Sequence, residues 1–212
     1  MTSLQEELDR IREADLEEDS RAAYEAFVRQ LFKAESADRA LKAGDAMPAF
    51  LLPSAEGRLI SSDELLARGP LVVSFYRGDW CPYCRAMLDT LEAALPLLQA
   101  AGGQLVMLTP DAGGRPLATK RKHRLSYEIL ADIDSGVGLQ FGIVFRAPEA
   151  YRKLLAESGI DLAERHGNGG WFIPIPATFV VDRGGIIRYA FVDSDFTRRA
   201  EPEAIIEVLR RL

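Results

Sequence analysis

Leu71-Val72-Val73-Ser74-Phe75-Tyr76-Arg77-Gly78-Asp79-Trp80-Cys81-Pro82-Tyr83-Cys84 is the stretch that decides the fold of this chain. Its first part, 71–76, is an apolar and β-rich run that follows Pro70, as is typical of a buried central strand. A helical pattern then runs from Pro82 to about Ala101, and a proline suits the first turn of a helix, where its missing N–H costs nothing. The pattern therefore places Cys81 at a turn from strand to helix.

Short apolar runs alternate with helical stretches on both sides of this turn, which predicts an α/β domain. The glycine content of 165–170 predicts a loop there. The other predicted elements are strands at 104–108 and 127–130, helices around 116–124 and 147–158, two β runs at 177–182 and 186–192 joined by a hairpin turn at 183–185, and a closing helix at 202–212.

The N-terminal part of the chain has a different pattern. Residues 3 to about 42 have helical spacing, with an apolar stripe that includes Leu4, Leu8, Phe27 and Leu31. Glycine and proline break this pattern between residues 44 and 53, so we place a boundary near residue 43. The prediction is a helical extension over 1–42 and an α/β domain over 43–212. The stripe must pack on that domain or on a second subunit to be stable.

Composition limits the kinds of partner. The 212 residues carry a formal net charge of -6, so the surface as a whole repels phosphate backbones and anionic membranes, and we expect neither nucleic acid nor a membrane as partner. The acidic first 20 residues lack the features of a secretory signal or a transit peptide. No apolar run approaches the roughly 18 residues that a membrane span needs. We therefore expect a cytoplasmic protein.

Cys81 and Cys84, the two cysteines of the chain, point to thiol chemistry. The positive end of the helix dipole favours an anion at Cys81, which lowers the pKa of its thiol, and the thiolate is the reactive form. Cys84 lies one helical turn further on the same face, so a reversible disulfide is geometrically available. A zinc site with His123 and His166 is an alternative, although these histidines lack the usual ligand spacing. Two buried structural cysteines are another.

Pro176 marks a second candidate segment, because a proline directly before a strand is typical of a sheet edge or of a tight turn that accepts a cis bond. Such a turn beside a reactive cysteine presents backbone groups to a substrate, whereas the alternative is a plain start of a strand. The loop around Trp171 leads into Pro176, and Trp171 either walls the site or packs on the core.

These segments resemble the peroxiredoxin-like branch of the alkyl hydroperoxide reductase/thiol-specific antioxidant (AhpC/TSA) family. The resemblance is carried by 75–84 and by 176–182, with further agreement at 44–50 and 193–199, and it covers about residues 43–212. It implies a thioredoxin-like fold, in which a central sheet is flanked by helices, and thiol-based antioxidant activity. We expect no cofactor and no metal. The resemblance also implies that Pro176 is the proline that thioredoxin-like proteins hold in the cis form.

The resemblance further implies the reaction. Cys81 is the peroxidatic nucleophile, which attacks a hydroperoxide and becomes a sulfenic acid, and Cys84 is the resolving thiol that closes a disulfide. Thioredoxin or a similar dithiol resets the pair, and a homodimer is a possible assembly. The residues expected to bind substrate or tune the cysteines are Arg77, Trp80, Pro82, Tyr83, Pro176 and Thr178.

The chain also departs from the family pattern. Gly78 stands where a Thr or Ser is usual, Ser74 stands where a Pro is usual, and the family's distant arginine aligns at or beside Pro176. Arg77 is the residue that can supply positive charge in its place, unless it is an exposed arginine paired with Asp79.

Two other functions stay open. Residues 80–84 are similar to the active sequences of thioredoxins and glutaredoxins, so the alternative is a thiol-disulfide oxidoreductase acting on protein or glutathione disulfides. A third possibility is a non-enzymatic interaction protein, in which the 1–42 extension mediates assembly and the cysteines sense the redox state.

Overall fold

A computed structural model of the chain describes residues 3–15, 18–33 and 37–212. From Leu51 onward strands and helices alternate, as the sequence predicts. The strands are β1 (Leu51–Pro53), β2 (Leu59–Ser61), β3 (Leu71–Phe75), β4 (Gln104–Thr109), β5 (Glu128–Ala131), β6 (Val144–Arg146), β7 (Phe172–Pro174), β8 (Ala177–Val181) and β9 (Ile187–Val192). The helices are α1 (Leu4–Asp15), α2 (Glu18–Lys33), α3 (Ser62–Arg68), α4 (Pro82–Ala100), α5 (Arg115–Lys122), α6 (Gly136–Gln140), α7 (Glu149–Glu157), α8 (Leu162–His166) and α9 (Pro202–Leu209).

Five strands form the central sheet in the order β5-β4-β3-β8-β9. Strands β3, β4 and β5 are parallel, and α4 is the crossover helix that parallel β3 and β4 require. Strand β8 runs antiparallel to both of its neighbours, β3 and β9. This mixed sheet flanked by helices confirms the predicted α/β class.

Alternation along β3 builds a core on each face of the sheet, because successive side chains of a strand point to opposite faces. Val72 and Tyr76 lie in one apolar cluster together with Cys81 and residues of α4 and α9. Phe75 lies in the other cluster, where its ring is 5.0 Å from that of Phe141. The strand is buried throughout, and it ends where the loop to Cys81 begins.

The described residues of the N-terminal extension pack on the main domain. Leu4 and Leu8 are buried in the cluster that contains Cys81, and α1 lies against α4. The Glu201 carboxylate accepts hydrogen bonds from the backbone N–H groups of Leu4 (3.0 Å) and Gln5 (2.9 Å). An acidic group at a helix N-terminus pairs orphan donors and complements the dipole, so residues near the other end of the chain fix the start of α1. Parts of the 1–42 extension (1, 2, 16, 17 and 34–36) lie outside the described residues.

One prediction about local structure was wrong. Arg165 and His166 were expected in a loop, but they end the short helix α8, which starts at the capping carboxylate of Asp161 and stops at Gly167 with φ of 68°. Such a left-handed residue is a common helix stop, so the glycine ends a helix there and does not exclude one. The paired three-residue strands β6 and β7 had no counterpart in the prediction, because they are too short to show a period.

The prediction for Pro176 was also wrong in its details. Strand β8, which Pro176 precedes, lies inside the sheet between β3 and β9 and is not an edge. No peptide bond of the described residues is cis, so the bond before Pro176 is trans. The trans form is the ordinary preference of an X-Pro bond, and the proline needs no ladder hydrogen bond because it stands just before the strand.

No helix within the described ranges combines the length and the apolar character that crossing a membrane requires.

Candidate active site

Cys81 stands at the start of α4, as the sequence predicts. It is the N-cap residue in extended conformation, Pro82 occupies the first turn, and the Cys81 carbonyl accepts the first helical hydrogen bonds from Cys84 (3.0 Å) and Arg85 (3.1 Å). The half-buried Pro82 thus fixes the start of the helix, and the dipole of α4 ends at Cys81. Both cysteines are fully buried, and no disulfide joins them in this structure.

Arg77 is the cation of this site. Its guanidinium donates one hydrogen bond to the Cys81 sulfur (3.1 Å, from Nη2) and one to the hydroxyl of Tyr151 (2.8 Å, from Nη1). The side chain is only 2% exposed, so the alternative of an exposed arginine paired with Asp79 is not what the structure shows. Among the described residues Asp79 instead pairs with Lys122 and His123. A buried cation in contact with a sulfur is an arrangement that stabilises a thiolate.

The two thiols differ in acidity. Burial by itself raises the pKa of Cys81, but the hydrogen bond with Cys84 and the charges of Arg77 and Arg199 outweigh burial, so the pKa of Cys81 lies well below its usual range. Burial and the hydrogen bond to Cys81, together with the charge of Cys81, hold the pKa of Cys84 well above its usual range. The arrangement therefore favours the thiolate at Cys81 and the neutral thiol at Cys84.

Arg199 is a second buried cation, which the sequence reading quoted within 193–199 without giving it a role. It is 4% exposed, and its Nη2 donates to the Cys84 sulfur at 3.8 Å. Its Nη1 donates to the backbone carbonyls of Phe196 and Arg198, which hold the side chain in place. Two guanidinium groups thus contact the dithiol, one on each sulfur.

Aromatic rings surround the Arg77 guanidinium. Its Cζ lies 3.8 Å from the centroid of Phe196 and 4.9 Å from that of Trp80, within the range of cation–π attraction. The half-buried Trp80 also donates from its indole N–H to the Arg77 carbonyl (3.0 Å), which fixes the loop before Cys81. Tyr83 is buried in the first turn of α4, with its ring 6.1 Å from that of Phe196.

Thr178 lies on β8 beside this loop, and Pro176 directly precedes that strand. The Thr178 hydroxyl is 2.9 Å from that of Ser74, and the pair is buried between β8 and β3. Ser74 also donates to the Ala177 carbonyl at 3.2 Å. The polar pair therefore satisfies itself inside the sheet. Pro176 is buried one residue beyond the Phe75–Ala177 pair, at the level where the Cys81 loop leaves β3.

Gly78 permits the shape of the loop. Its φ of +134° is a conformation that side chains rarely adopt, and a Cβ there would lie 2.6 Å from the Trp80 indole and 2.8 Å from an oxygen of Asp111. Asp111 is itself buried and receives two hydrogen bonds from Arg165, at 3.1 and 2.9 Å. The glycine that replaces the usual Thr or Ser is therefore required by the packing around it.

The histidines of the zinc alternative do not join the cysteines. His123 bridges two carboxylates, Asp79 (2.8 Å) and Asp89 (2.7 Å), while His166 is buried in α8. Over the part of the chain that the structure describes, no three metal-ligating side chains come together. Trp171 is half-buried against the core, with the Arg152 guanidinium 5.0 Å from its ring. Of the two possibilities for Trp171, the structure shows packing on the core.

Tyr151, Phe196 and Arg199 contact the dithiol or Arg77, and the sequence assigned no role to them. Phe196 and Arg199 fall inside a segment that carried the family resemblance, which was a usable signal. Tyr151 contacts Arg77 across 74 residues of chain, and no spacing rule connects them.

The fold and the buried dithiol define the class, which is a thioredoxin-like protein with a C-x-x-C pair at a strand-to-helix turn. The crystal structure of Peroxidoxin BcpB from Mycobacterium tuberculosis superposes with a TM-score of 0.64 at 20% identity, covering 81% of this chain and 98% of that one. The model of the AhpC/TSA family matches residues 43–190. The chain belongs to this family, which confirms the resemblance.

Two curated relatives carry peroxiredoxin names. The chloroplastic Peroxiredoxin Q of Suaeda salsa is 24% identical over 151 residues, which is 70% of this chain and 58% of that protein. Peroxiredoxin Bcp of Escherichia coli strain K12 is 29% identical over 103 residues, which is 49% of this chain and 65% of that protein. The matched region spans less than two thirds of either relative.

Proposed function

We propose that the chain is a thiol-dependent peroxidase that reduces hydrogen peroxide or organic hydroperoxides, with Cys81 as nucleophile and Cys84 as resolving thiol. The observation that carries this function is the 3.1 Å contact between the Arg77 guanidinium and the Cys81 sulfur at the start of α4. The peroxiredoxin names of the relatives support it.

The first step uses the Cys81 thiolate. Its sulfur attacks the terminal oxygen of the hydroperoxide, the O–O bond breaks, and Cys81 becomes a sulfenic acid while the departing alkoxide or hydroxide takes up a proton. Arg77 and the dipole of α4 hold the thiolate ready for this attack. The guanidinium is the one group of the described residues that donates to this sulfur and also to a neighbouring hydroxyl, that of Tyr151.

The second step uses Cys84, one turn along the same helix. Its sulfur attacks the sulfur of the sulfenic acid, the S–O bond breaks, and the hydroxyl leaves as water with the proton that Cys84 gives up. Arg199 lies 3.8 Å from the Cys84 sulfur, so its charge favours the loss of that proton. An external dithiol then reduces the Cys81–Cys84 disulfide and becomes a disulfide itself.

The test compares peroxide consumption by the wild type, Cys81→Ser and Cys84→Ser, with thioredoxin as reductant. We expect Cys81→Ser to abolish consumption, and Cys84→Ser to stop after one turnover with a sulfenic acid that a dimedone probe labels. Peroxide loss that survives Cys81→Ser would exclude Cys81 as nucleophile. Reduction of insulin disulfides without peroxide turnover would instead support the thiol-disulfide oxidoreductase, and a change of oligomer on oxidation without turnover would support the interaction protein.

Three further features remain predictions. A thioredoxin-type dithiol as reductant is supported by the resolving position of Cys84. A cytoplasmic location remains an expectation from the sequence, although the Suaeda salsa relative is named chloroplastic. A homodimer is to be tested by light scattering on the reduced and the oxidised protein.

A further inference from the structure

The candidate active site is closed in this structure. Cys81 is 0% exposed and Arg77 is 2% exposed, so a hydroperoxide in solution does not touch either of them. A layer of aromatic side chains separates Arg77 from the surface. The residues that make up this layer therefore decide which substrates reach the sulfur.

Tyr151 and Phe196 form the inner part of the layer. The Tyr151 hydroxyl accepts the 2.8 Å hydrogen bond from Arg77, and the Phe196 ring lies 3.8 Å from the Arg77 Cζ. Both side chains are buried. They belong to α7 and to the segment before α9, which both lie within the main domain.

Phe27 of α2 forms the outer part of the layer. Its ring stacks on that of Tyr151 with centroids 3.8 Å apart and an interplanar angle of 6°, and it lies 5.8 Å from the Phe196 ring. It is 5% exposed, although its neighbours Ala26 and Arg29 on the same helix are exposed. A single side chain of the N-terminal extension thus covers Tyr151 and Phe196, two of the three aromatic residues that contact Arg77.

A cavity of about 170 Å³ lies between α2 and α7 and borders this stack. It is lined by Phe27 and Tyr151, by the exposed residues Ala26, Gln30 and Ala150, and by the half-buried Leu154. The stacked rings form part of the cavity wall, and the Tyr151 hydroxyl accepts the hydrogen bond from Arg77. The stacked rings of Phe27 and Tyr151 therefore separate this cavity from Arg77.

We propose that Phe27 is a specificity-determining residue, which admits hydrogen peroxide and other small hydroperoxides to Cys81 and excludes bulky organic ones. This inference rests on the proposed peroxidase function. A molecule of two heavy atoms passes through a small displacement of the rings. An aromatic hydroperoxide needs the whole Phe27 ring to leave the stack, which costs the burial of a large apolar side chain. Phe27 precedes the family match at 43–190, so this limit belongs to the extension of this chain.

The first test compares Phe27→Ala with Phe32→Ala, a matched control on the same helix whose side chain is 56% exposed. The measurement is kcat/KM for hydrogen peroxide and for cumene hydroperoxide. In Phe27→Ala we expect the ratio of cumene hydroperoxide to hydrogen peroxide to rise by about tenfold, as for a pocket that gains several carbon atoms of space. In Phe32→Ala the ratio stays at the wild-type value. An unchanged ratio in folded Phe27→Ala overturns the proposal.

A second measurement does not depend on peroxidase activity. The rate at which Cys81 is alkylated is measured by mass spectrometry with iodoacetamide and with the bulkier N-phenylmaleimide. Phe27→Ala should accelerate the bulky reagent more than the small one, and an equal acceleration of both contradicts the size limit. If the chain consumes no peroxide but the ratio of the two alkylation rates shifts, the proposed function fails. The size limit that Phe27 sets on molecules reaching Cys81 then still stands.

The folding of Phe27→Ala is checked by circular dichroism. Should this variant lose its native spectrum, Phe27→Leu serves in its place, because it keeps an apolar side chain and removes the stacked ring. In Phe27→Leu the kcat/KM ratio of the two hydroperoxides and the alkylation-rate ratio of the two reagents should shift in the same direction by a smaller factor. Wild-type ratios in folded Phe27→Leu, together with an unfolded Phe27→Ala, would make Phe27 a purely structural residue and overturn the proposal.

Discussion

Replacing Arg77 by methionine should raise the pKa of Cys81 by about one to two units. Methionine keeps most of the apolar length of the side chain but removes the cation 3.1 Å from the sulfur. A hydrogen bond to a charged group contributes about 1.5–3 kcal/mol, and each pKa unit corresponds to about 1.4 kcal/mol. Removing the cation destabilises the Cys81 thiolate and leaves the neutral thiol almost unaffected, because a neutral thiol gains little from a nearby cation.

The assay measures the rate at which iodoacetamide alkylates Cys81 as a function of pH. The midpoint of this curve gives the pKa of the Cys81 thiol. Arg198→Met is the matched control, because it removes the same charge from a side chain that is 58% exposed and paired with Asp193. The control should leave the midpoint unchanged, and Arg77→Lys should fall between the two. If the midpoint of Arg77→Met equals that of the wild type, Arg77 does not activate Cys81 and the reasoning fails.

The same contact links stability to pH. The pKa of Cys81 is lower in the folded state than in the unfolded chain, because the hydrogen bond with Cys84 and the two arginines outweigh burial. Its stabilising contribution is therefore fully present above the ordinary thiol pKa and is lost as the pH falls through the folded-state value. In Arg77→Met the pKa of Cys81 in the folded state moves closer to its value in the unfolded chain, so stability should depend less on pH. Urea unfolding of the reduced protein at several pH values measures this dependence.

Three other perturbations test the packing. Gly78→Thr introduces the residue usual in the family, yet it should lower the free energy of unfolding by about 1–3 kcal/mol and reduce peroxide turnover. The control is Gly102→Ala, where φ is +84° and a Cβ would meet no atom within 4 Å, so its loss of stability measures the backbone strain without a steric clash. Leu8→Ala should cost about 2–5 kcal/mol in urea unfolding, while Leu97→Ala, 52% exposed, stays within about 0.5 kcal/mol of the wild type. Burial lowers the pKa of His166 from 6.5 to about 4, so stability should fall by up to about 3 kcal/mol on acidification through that range, and His166→Gln should remove this dependence.

The sequence predicted the parts of the site that are close together along the chain. Cys81, Cys84 and the start of α4 follow from a strand, a turn and a proline in succession, and Arg77 was a candidate because it is four residues before Cys81. The contacts with Tyr151 and Arg199 could not be predicted, because they join residues 74 and 115 positions apart. Tertiary packing brings these residues together, and the local periodicity of the sequence carries no information about it.

The N-terminal extension shows the same limit. Its apolar stripe predicted that the helices pack on something, and Leu8 and Phe27 are indeed buried. The stripe gave no sign that Phe27 reaches Tyr151 over the dithiol, since helical spacing identifies a face and not its partner. The error at Pro176 has a different origin, because the identity of a proline does not decide the isomer of its bond.

The two buried guanidinium groups also affect the redox equilibrium of the dithiol. They stabilise the Cys81 thiolate, but a disulfide carries no charge for them to attract, so they favour the reduced pair over the oxidised pair. A dithiol whose reduced form is stabilised in this way has a high reduction potential. We therefore expect the proposed Cys81–Cys84 disulfide to be a strong oxidant, which passes its oxidation readily to an external dithiol.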